Sequence, residues 1–282
     1  METDLRYAEI NEHGFGISMM AQDVVFTGKS DYQKVDIIQT PWLGRVFLLD
    51  GLVMTTEKDE FFYHEMIAHV PMNSVKSPER VLVIGGGDGG TVREVLKYPS
   101  VKEVVLCEID GLVVEAAKKY LPTLSCKLDD PKVTIKIEDA IEYMKDKKSE
   151  FDVILIDSTD PMGPGEGLFT EEFYTNVKNA LKPGGVMAAQ SESPFANARE
   201  QKMMYELLKK VFRHVKPYAG PMPCYPAGYW SWAFCSEDVA PLSYINEESA
   251  RKIEKDAKLY NLELHKAVFS VPNFVKRNVG DL

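Results

Sequence analysis

Asp88 stands inside a run of glycines, Gly85-Gly86-Gly87-Asp88-Gly89-Gly90, that follows the apolar run Val81–Ile84 and opens a helical pattern. Glycines so spaced let main-chain amides approach a ligand at a helix N-terminus, commonly a phosphate. A carboxylate there opposes phosphate: at an effective dielectric of about 20, repulsion from a pyrophosphate amounts to several kcal/mol. Glu108 comes 18 residues after Gly90, at the end of the next apolar run. A carboxylate at that place accepts hydrogen bonds from both hydroxyls of a ribose. Asp139, beside the small Ala140, closes the following run and suits an adenine amino group. Three successive acidic strand ends describe the edge of a nucleoside pocket. An adenosyl sulfonium fits it better than a dinucleotide.

Asp157 ends another apolar run, Phe151–Asp157, and Asp160 follows three residues later. The segment Asp157-Ser158-Thr159-Asp160-Pro161 leads into Met162-Gly163-Pro164-Gly165-Glu166-Gly167, a composition suited to a flap over a ligand. Asp157 and Asp160 are expected to face the same cleft as Asp88. Converging carboxylates can hold a metal ion or an amine. Magnesium usually accompanies a substrate phosphate, which Asp88 disfavours, so no metal is expected. Paired carboxylates hold ammonium groups by charge-assisted hydrogen bonds. A carboxylate can also take the proton an ammonium must lose before it becomes a nucleophile.

These acids need a frame. From Arg80 onward, strand patterns at Val81–Ile84, Val104–Glu108, Val133–Ile137, Val153–Asp157 and Val186–Gln190 alternate with helical ones such as Gly111–Tyr120 and Phe169–Leu181. Such alternation predicts an α/β fold, a Rossmann-like doubly wound sheet. The turn Leu181-Lys182-Pro183-Gly184-Gly185 is frequent in the S-adenosylmethionine-dependent methyltransferase type of this sheet, an argument by analogy. Before it, Tyr32–Gln39, Arg45–Leu49 and the turn Asp50-Gly51 predict a small antiparallel β domain. The expected boundaries are 1–60 for this β domain and 61–282 for the catalytic domain. A helix is expected over Asp59–Val70, stopped by Pro71. Later strands are expected at Tyr229–Cys235 and Leu264–Ala267, and helices at Met203–Phe212 and Glu247–Tyr260.

A formal net charge of −10 argues against general affinity for nucleic acid and is compatible with a cationic substrate. No apolar run approaches the ~18 residues of a membrane span. Met1–Arg6 shows no basic-then-apolar pattern, so no secretory signal is expected. The four cysteines have neither C-x-x-C spacing nor a nearby histidine at zinc-ligand spacing. Reduced thiols in a cytoplasmic protein are expected.

With these residues in view, the sequence resembles the polyamine aminopropyltransferases, those of bacterial spermidine synthase type above all. The matching segments are Tyr32-Gln33, Thr56–Met66 with Tyr63-His64-Glu65, the glycine turn, Glu108-Ile109-Asp110, Glu138-Asp139-Ala140, Asp157–Pro161 and Cys224-Tyr225-Pro226. They span nearly the whole chain. The resemblance implies transfer of an aminopropyl group from decarboxylated S-adenosylmethionine, a co-substrate, to putrescine, giving spermidine and methylthioadenosine. It implies Asp157 as general base with Tyr63 beside it. Glu108 would hold the ribose, Asp139 and Ala140 the adenine, and Gln33 and Pro164 the rest of the nucleoside. His64 and Asp88 would lie by the aminopropyl and polyamine groups. Tyr63, Asp160 and Tyr225 would position the diamine, with Ser158 and Thr159 on the same loop and Gln190 and Trp230 as weaker candidates. A homodimer or homotetramer, no tightly bound cofactor and no metal are also implied.

Two other functions compete. A methyltransferase would use ordinary S-adenosylmethionine, whose carboxylate Asp88 and Asp160 repel. A non-catalytic polyamine or nucleoside sensor would not need Asp157 and Tyr63. The acceptor stays open among putrescine, cadaverine, agmatine and spermidine.

Overall fold

Short apolar runs that are buried on both faces form the centre of the molecule. The computed structural model describes residues 5–11, 14–159 and 163–280, apart from the side chains at 163, 164 and 166. The chain opens with a hairpin of β1 (Leu5–Ile10) and β2 (Gly16–Ala21). An antiparallel sheet follows, in the order β3 (Asp23–Lys29), β4 (Lys34–Thr40), β5 (Gly44–Leu49), β6 (Leu52–Thr56). Asp50 and Gly51 join β5 to β6 with φ of 49° and 81°, the left-handed pair of a tight hairpin.

Helix α1 (Phe61–Asn73) leads into the alternating region. There β7 (Arg80–Gly85), α2 (Gly90–Val95), β8 (Glu103–Glu108), α3 (Gly111–Tyr120), α4 (Pro122–Ser125), β9 (Val133–Ile137), α5 (Ala140–Met144) and β10 (Phe151–Asp157) follow in turn. A 3-10 helix, Gly163–Leu168, precedes α6 (Glu171–Ala180), β11 (Leu181–Gln190), α7 (Ala198–Val211), β12 (His214–Pro221) and β13 (Tyr229–Ser236). Three short helices close the chain: α8 (Glu247–Ile253), α9 (Leu262–Ala267) and α10 (Asn273–Val279).

The seven-stranded sheet runs β12-β13-β11-β10-β7-β8-β9, parallel from β11 to β9 and antiparallel where β13 meets β11 and β12. The chain steps from β7 outward to β9, then returns to β10 on the other side of β7. Ligands of doubly wound sheets bind at such a reversal, beyond the carboxyl ends of the strands. Register fixes the place, because Gly85 of β7 pairs with Asp157 of β10. The glycine turn and the acidic loop therefore leave the sheet side by side. The chain is thus an α/β protein with a Rossmann-like mixed sheet and a small N-terminal antiparallel β region. No helix among the described residues is long and apolar enough to cross a membrane.

Three elements differ from expectation. Pro71 does not stop α1; it lies in the last turn, and Ser74 closes that turn by donating its N–H to the Pro71 carbonyl at 3.0 Å. Leu264–Ala267 is not a strand but lies in α9, whose cap Asn261 accepts from Leu264 N at 2.7 Å. The helix expected over Glu247–Tyr260 ends at Ile253.

Candidate active site

A cleft opens to solvent at the carboxyl edge of β7, β8 and β10. Its wall brings together Gln33, Tyr63, His64, Asp88, Glu108, Asp139, Ala140, Asp157, Ser158, Thr159 and Tyr225. Asp160 and the Pro164 side chain lie outside the described residues. Gln190 and Trp230 stand behind the wall. Gln190 Nε2 donates to the Thr159 carbonyl at 3.5 Å. The Trp230 ring meets Tyr225 edge-on, centroids 4.6 Å apart.

The glycine turn is shaped by side chains as well as by space for a ligand. A Cβ at Gly86 would sit 2.6 Å from Asp157 Oδ2, and one at Gly90 would sit 2.2 Å from the His64 ring. Gly86 also has φ of +66°, a conformation that L side chains rarely adopt.

Asp157 accepts a hydrogen bond from Thr91 Oγ1 at 2.6 Å, and the Tyr63 hydroxyl faces the same carboxyl group. Burial raises the pKa of Asp157. His64 opposes that, Asp88 adds to it, and the Thr91 and Tyr63 hydroxyls oppose it. Burial and the Asp157 charge raise Tyr63 well above its ordinary value, so its hydroxyl stays a donor. Asp88 Oδ1 accepts from Gly90 N at 2.7 Å and faces His64 Nε2 at 3.5 Å.

Glu108 is held by main-chain donors, Gly87 N at 3.2 Å and Asp110 N at 3.0 Å. Burial, with Asp110 adding, still pushes its pKa up to about 7 against those two bonds. Asp110 caps α3 through Leu112 N and accepts from Gln33 Nε2 at 3.0 Å, which ties the N-terminal sheet to the pocket. Asp139 uses Oδ1 to cap α5, accepting from Ile141 N at 2.8 Å. Tyr225 donates to the Met54 carbonyl at 2.7 Å.

Sequence reasoning missed several parts. Thr91 and Asp110 support site residues. Phe47, Leu49 and Met54 give the cavity an apolar wall from the N-terminal sheet. The run Gly90-Thr91 inside the glycine motif was the available signal for Thr91; the apolar wall had none.

Residues 60–245 match the spermine/spermidine synthase domain family, and residues 6–57 match the spermidine synthase tetramerisation domain. The chain belongs to the spermine/spermidine synthase family. It is an enzyme of the polyamine aminopropyltransferase class. Among curated relatives, the polyamine aminopropyltransferase of Thermotoga neapolitana is 52% identical over 266 residues, covering 94% of this chain and 90% of that protein. That of Alkaliphilus metalliredigens is 43% identical over 278 residues, covering 98% of each. A crystal structure of spermidine synthase in complex with the transition state analogue AdoDATO superposes with a TM-score of 0.95 at 50% identity, covering 98% of this chain and 95% of the other. Spermidine synthase from Thermotoga maritima matches with the same TM-score at 49% identity, covering 99% and 95%. This aminopropyltransferase-family enzyme thus shares its architecture with a protein crystallised around a transition state analogue.

Proposed function

We propose that the enzyme transfers the aminopropyl group of decarboxylated S-adenosylmethionine to putrescine, releasing spermidine and methylthioadenosine. The carrying observation is the cluster at the reversal of strand order: Asp157 lies between Thr91, Tyr63 and Asp88, with His64 behind. The complex of a solved relative with AdoDATO supports an adenosyl ligand here.

In this reading Glu108 holds the ribose and Asp139 and Ala140 meet the adenine, with Gln33 and Pro164 at its margin. Asp88 holds the aminopropyl ammonium. Tyr63, Ser158, Thr159, Asp160 and Tyr225 position the diamine. Putrescine enters with both amines protonated, and Asp157 accepts one proton. The freed lone pair attacks the aminopropyl carbon bound to sulfur. The C–S bond breaks, its electron pair goes to sulfur, and neutral methylthioadenosine leaves. A cationic sulfur needs no acid to depart, so the site orients the amine and stabilises positive charge.

A homodimer or homotetramer in the cytoplasm completes the proposal. The tetramerisation-domain match and the exposed Leu5, Ile10 and Phe15 of the β1–β2 hairpin region support assembly. The test is incubation of purified enzyme with decarboxylated S-adenosylmethionine and, separately, putrescine, cadaverine, agmatine and spermidine, with products read by mass spectrometry. Putrescine should give the highest kcat/KM. Preference for another amine, or a methyl gain with S-adenosylmethionine, would overturn the assignment.

A further inference from the structure

One set of buried charges next to the cavity has no task in this mechanism. Glu60, 4% exposed, lies one turn before His64. Its Oε2 meets His64 Nδ1 at 2.6 Å and Arg93 Nη2 at 2.7 Å. Arg93 is fixed in turn by Glu94 at 2.9 Å and by the Thr123 carbonyl at 3.0 Å. The His64 ring lies on Gly90, and its second nitrogen is 3.5 Å from Asp88 Oδ1. The imidazole therefore lies between two carboxylates, hydrogen-bonded to Glu60 and 3.5 Å from Asp88, and only a ring protonated on both nitrogens presents an N–H to each. The groups facing His64 are Glu60 from its own turn, Asp88 from the glycine turn, Asp157 from β10, the neighbouring Tyr63 and, through Glu60, Arg93 from α2.

We propose that Glu60 and Arg93 are positioning residues for the reaction: they hold His64 against Gly90 as an imidazolium directed at Asp88, and this cation keeps Asp157 ionised as the base. The proposal rests on the assignment of Asp157 made above. Burial opposes charge on His64, but Asp88 and Glu60 outweigh it and raise its pKa well above the ordinary value. Burial also opposes ionisation of Glu60, but His64 and Arg93 lower it to about 2.

The sign of one effect separates a relay from simple proximity. As a mere nearby charge, Glu60 would make Asp157 more acidic once neutralised. Acting through His64, its loss frees the imidazole proton, and Asp157 becomes less acidic.

The first test reads the protonation of His64 directly in the wild-type enzyme. The imidazole ¹⁵N shifts of His64 in the intact enzyme, assigned by their loss in His64→Gln, should report a ring still doubly protonated at pH values where an ordinary imidazole has lost its proton. A neutral ring at pH near 7 would overturn the proposal. In Glu60→Gln the His64 titration should fall, and the acid limb of kcat/KM for the amine should move up by about one pH unit. A limb that stays, moves down, or gives way to an equal loss at every pH overturns the relay. The His64 titration is read without turnover, so its failure is distinct from failure of Asp157 as base, which Asp157→Asn reports.

Discussion

Thr91 donates its hydroxyl proton to the Asp157 carboxylate, with Oγ1 2.6 Å from Oδ2. The bond opposes the burial that raises Asp157. A base must be ionised, so activity falls as pH drops through the Asp157 pKa. Thr91→Val keeps shape and removes the donor. The acid limb of kcat/KM should move up by about half to one pH unit, with little loss well above it. A pH–rate profile of both proteins checks this; an unmoved limb would show that the bond does not tune Asp157.

Gly90→Ala places a methyl group where the His64 ring lies, with ring atoms from 2.2 Å. The ring is 2% exposed and tied to Glu60 at 2.6 Å, so the methyl must displace it from its place. We expect a stability loss of about 1–3 kcal/mol by urea unfolding. Turnover should fall further than stability explains, because His64 leaves Asp88. Wild-type activity in a folded Gly90→Ala variant would contradict the described packing.

Glu108 makes a prediction in which stability and function oppose each other. Its pKa is about 7 in the folded protein against an ordinary 4.5. Between those values the folded state holds a proton that the unfolded state has lost. The ligand-free protein should therefore lose stability as pH rises from about 4.5 to about 7, by roughly 3 kcal/mol in all from this group. Glu108→Gln should flatten that slope and be the more stable protein near pH 8. The same variant should bind methylthioadenosine at least about tenfold more weakly. Urea titrations at both ends of the window, with calorimetry of binding, test the two halves separately.

Asp88 is the selectivity element in our account. In the proposed binding mode its carboxylate lies where ordinary S-adenosylmethionine would bring its own. Asp88→Asn retains a carbonyl to accept from Gly90 N and removes the repulsion. The preference for decarboxylated over ordinary S-adenosylmethionine as a ligand should shrink by about tenfold or more. Competition binding measures it, and an unchanged ratio would assign the discrimination elsewhere.

Much of this frame was legible because its signals are local. The runs ending in Ile84, Glu108 and Asp157 are apolar on both faces, as central parallel strands require, and Asp88, Glu108 and Asp157 lie at or just past their carboxyl ends, where ligands of such sheets bind. The alternation Leu262-Glu263-Leu264-His265 imitates a strand, but Asn261 caps it as a helix. Strand β12 went unread because it contains Pro217, which an edge strand tolerates. The support for the site was hidden by separation along the chain. Thr91 meets Asp157 across 66 residues, and Gln33 meets Asp110 across 77. Only the fold makes such pairs neighbours, and one sequence carries no local trace of them.

The central claim is that Asp157 takes the proton from the attacking amine. Asp157→Asn keeps the size of the side chain and a carbonyl to accept from Thr91. Turnover of decarboxylated S-adenosylmethionine with putrescine should be measured at saturation, beside methylthioadenosine binding as a check on the intact pocket. We predict kcat lower by about 10²–10⁴-fold with binding retained. Near wild-type kcat in that variant would contradict the account.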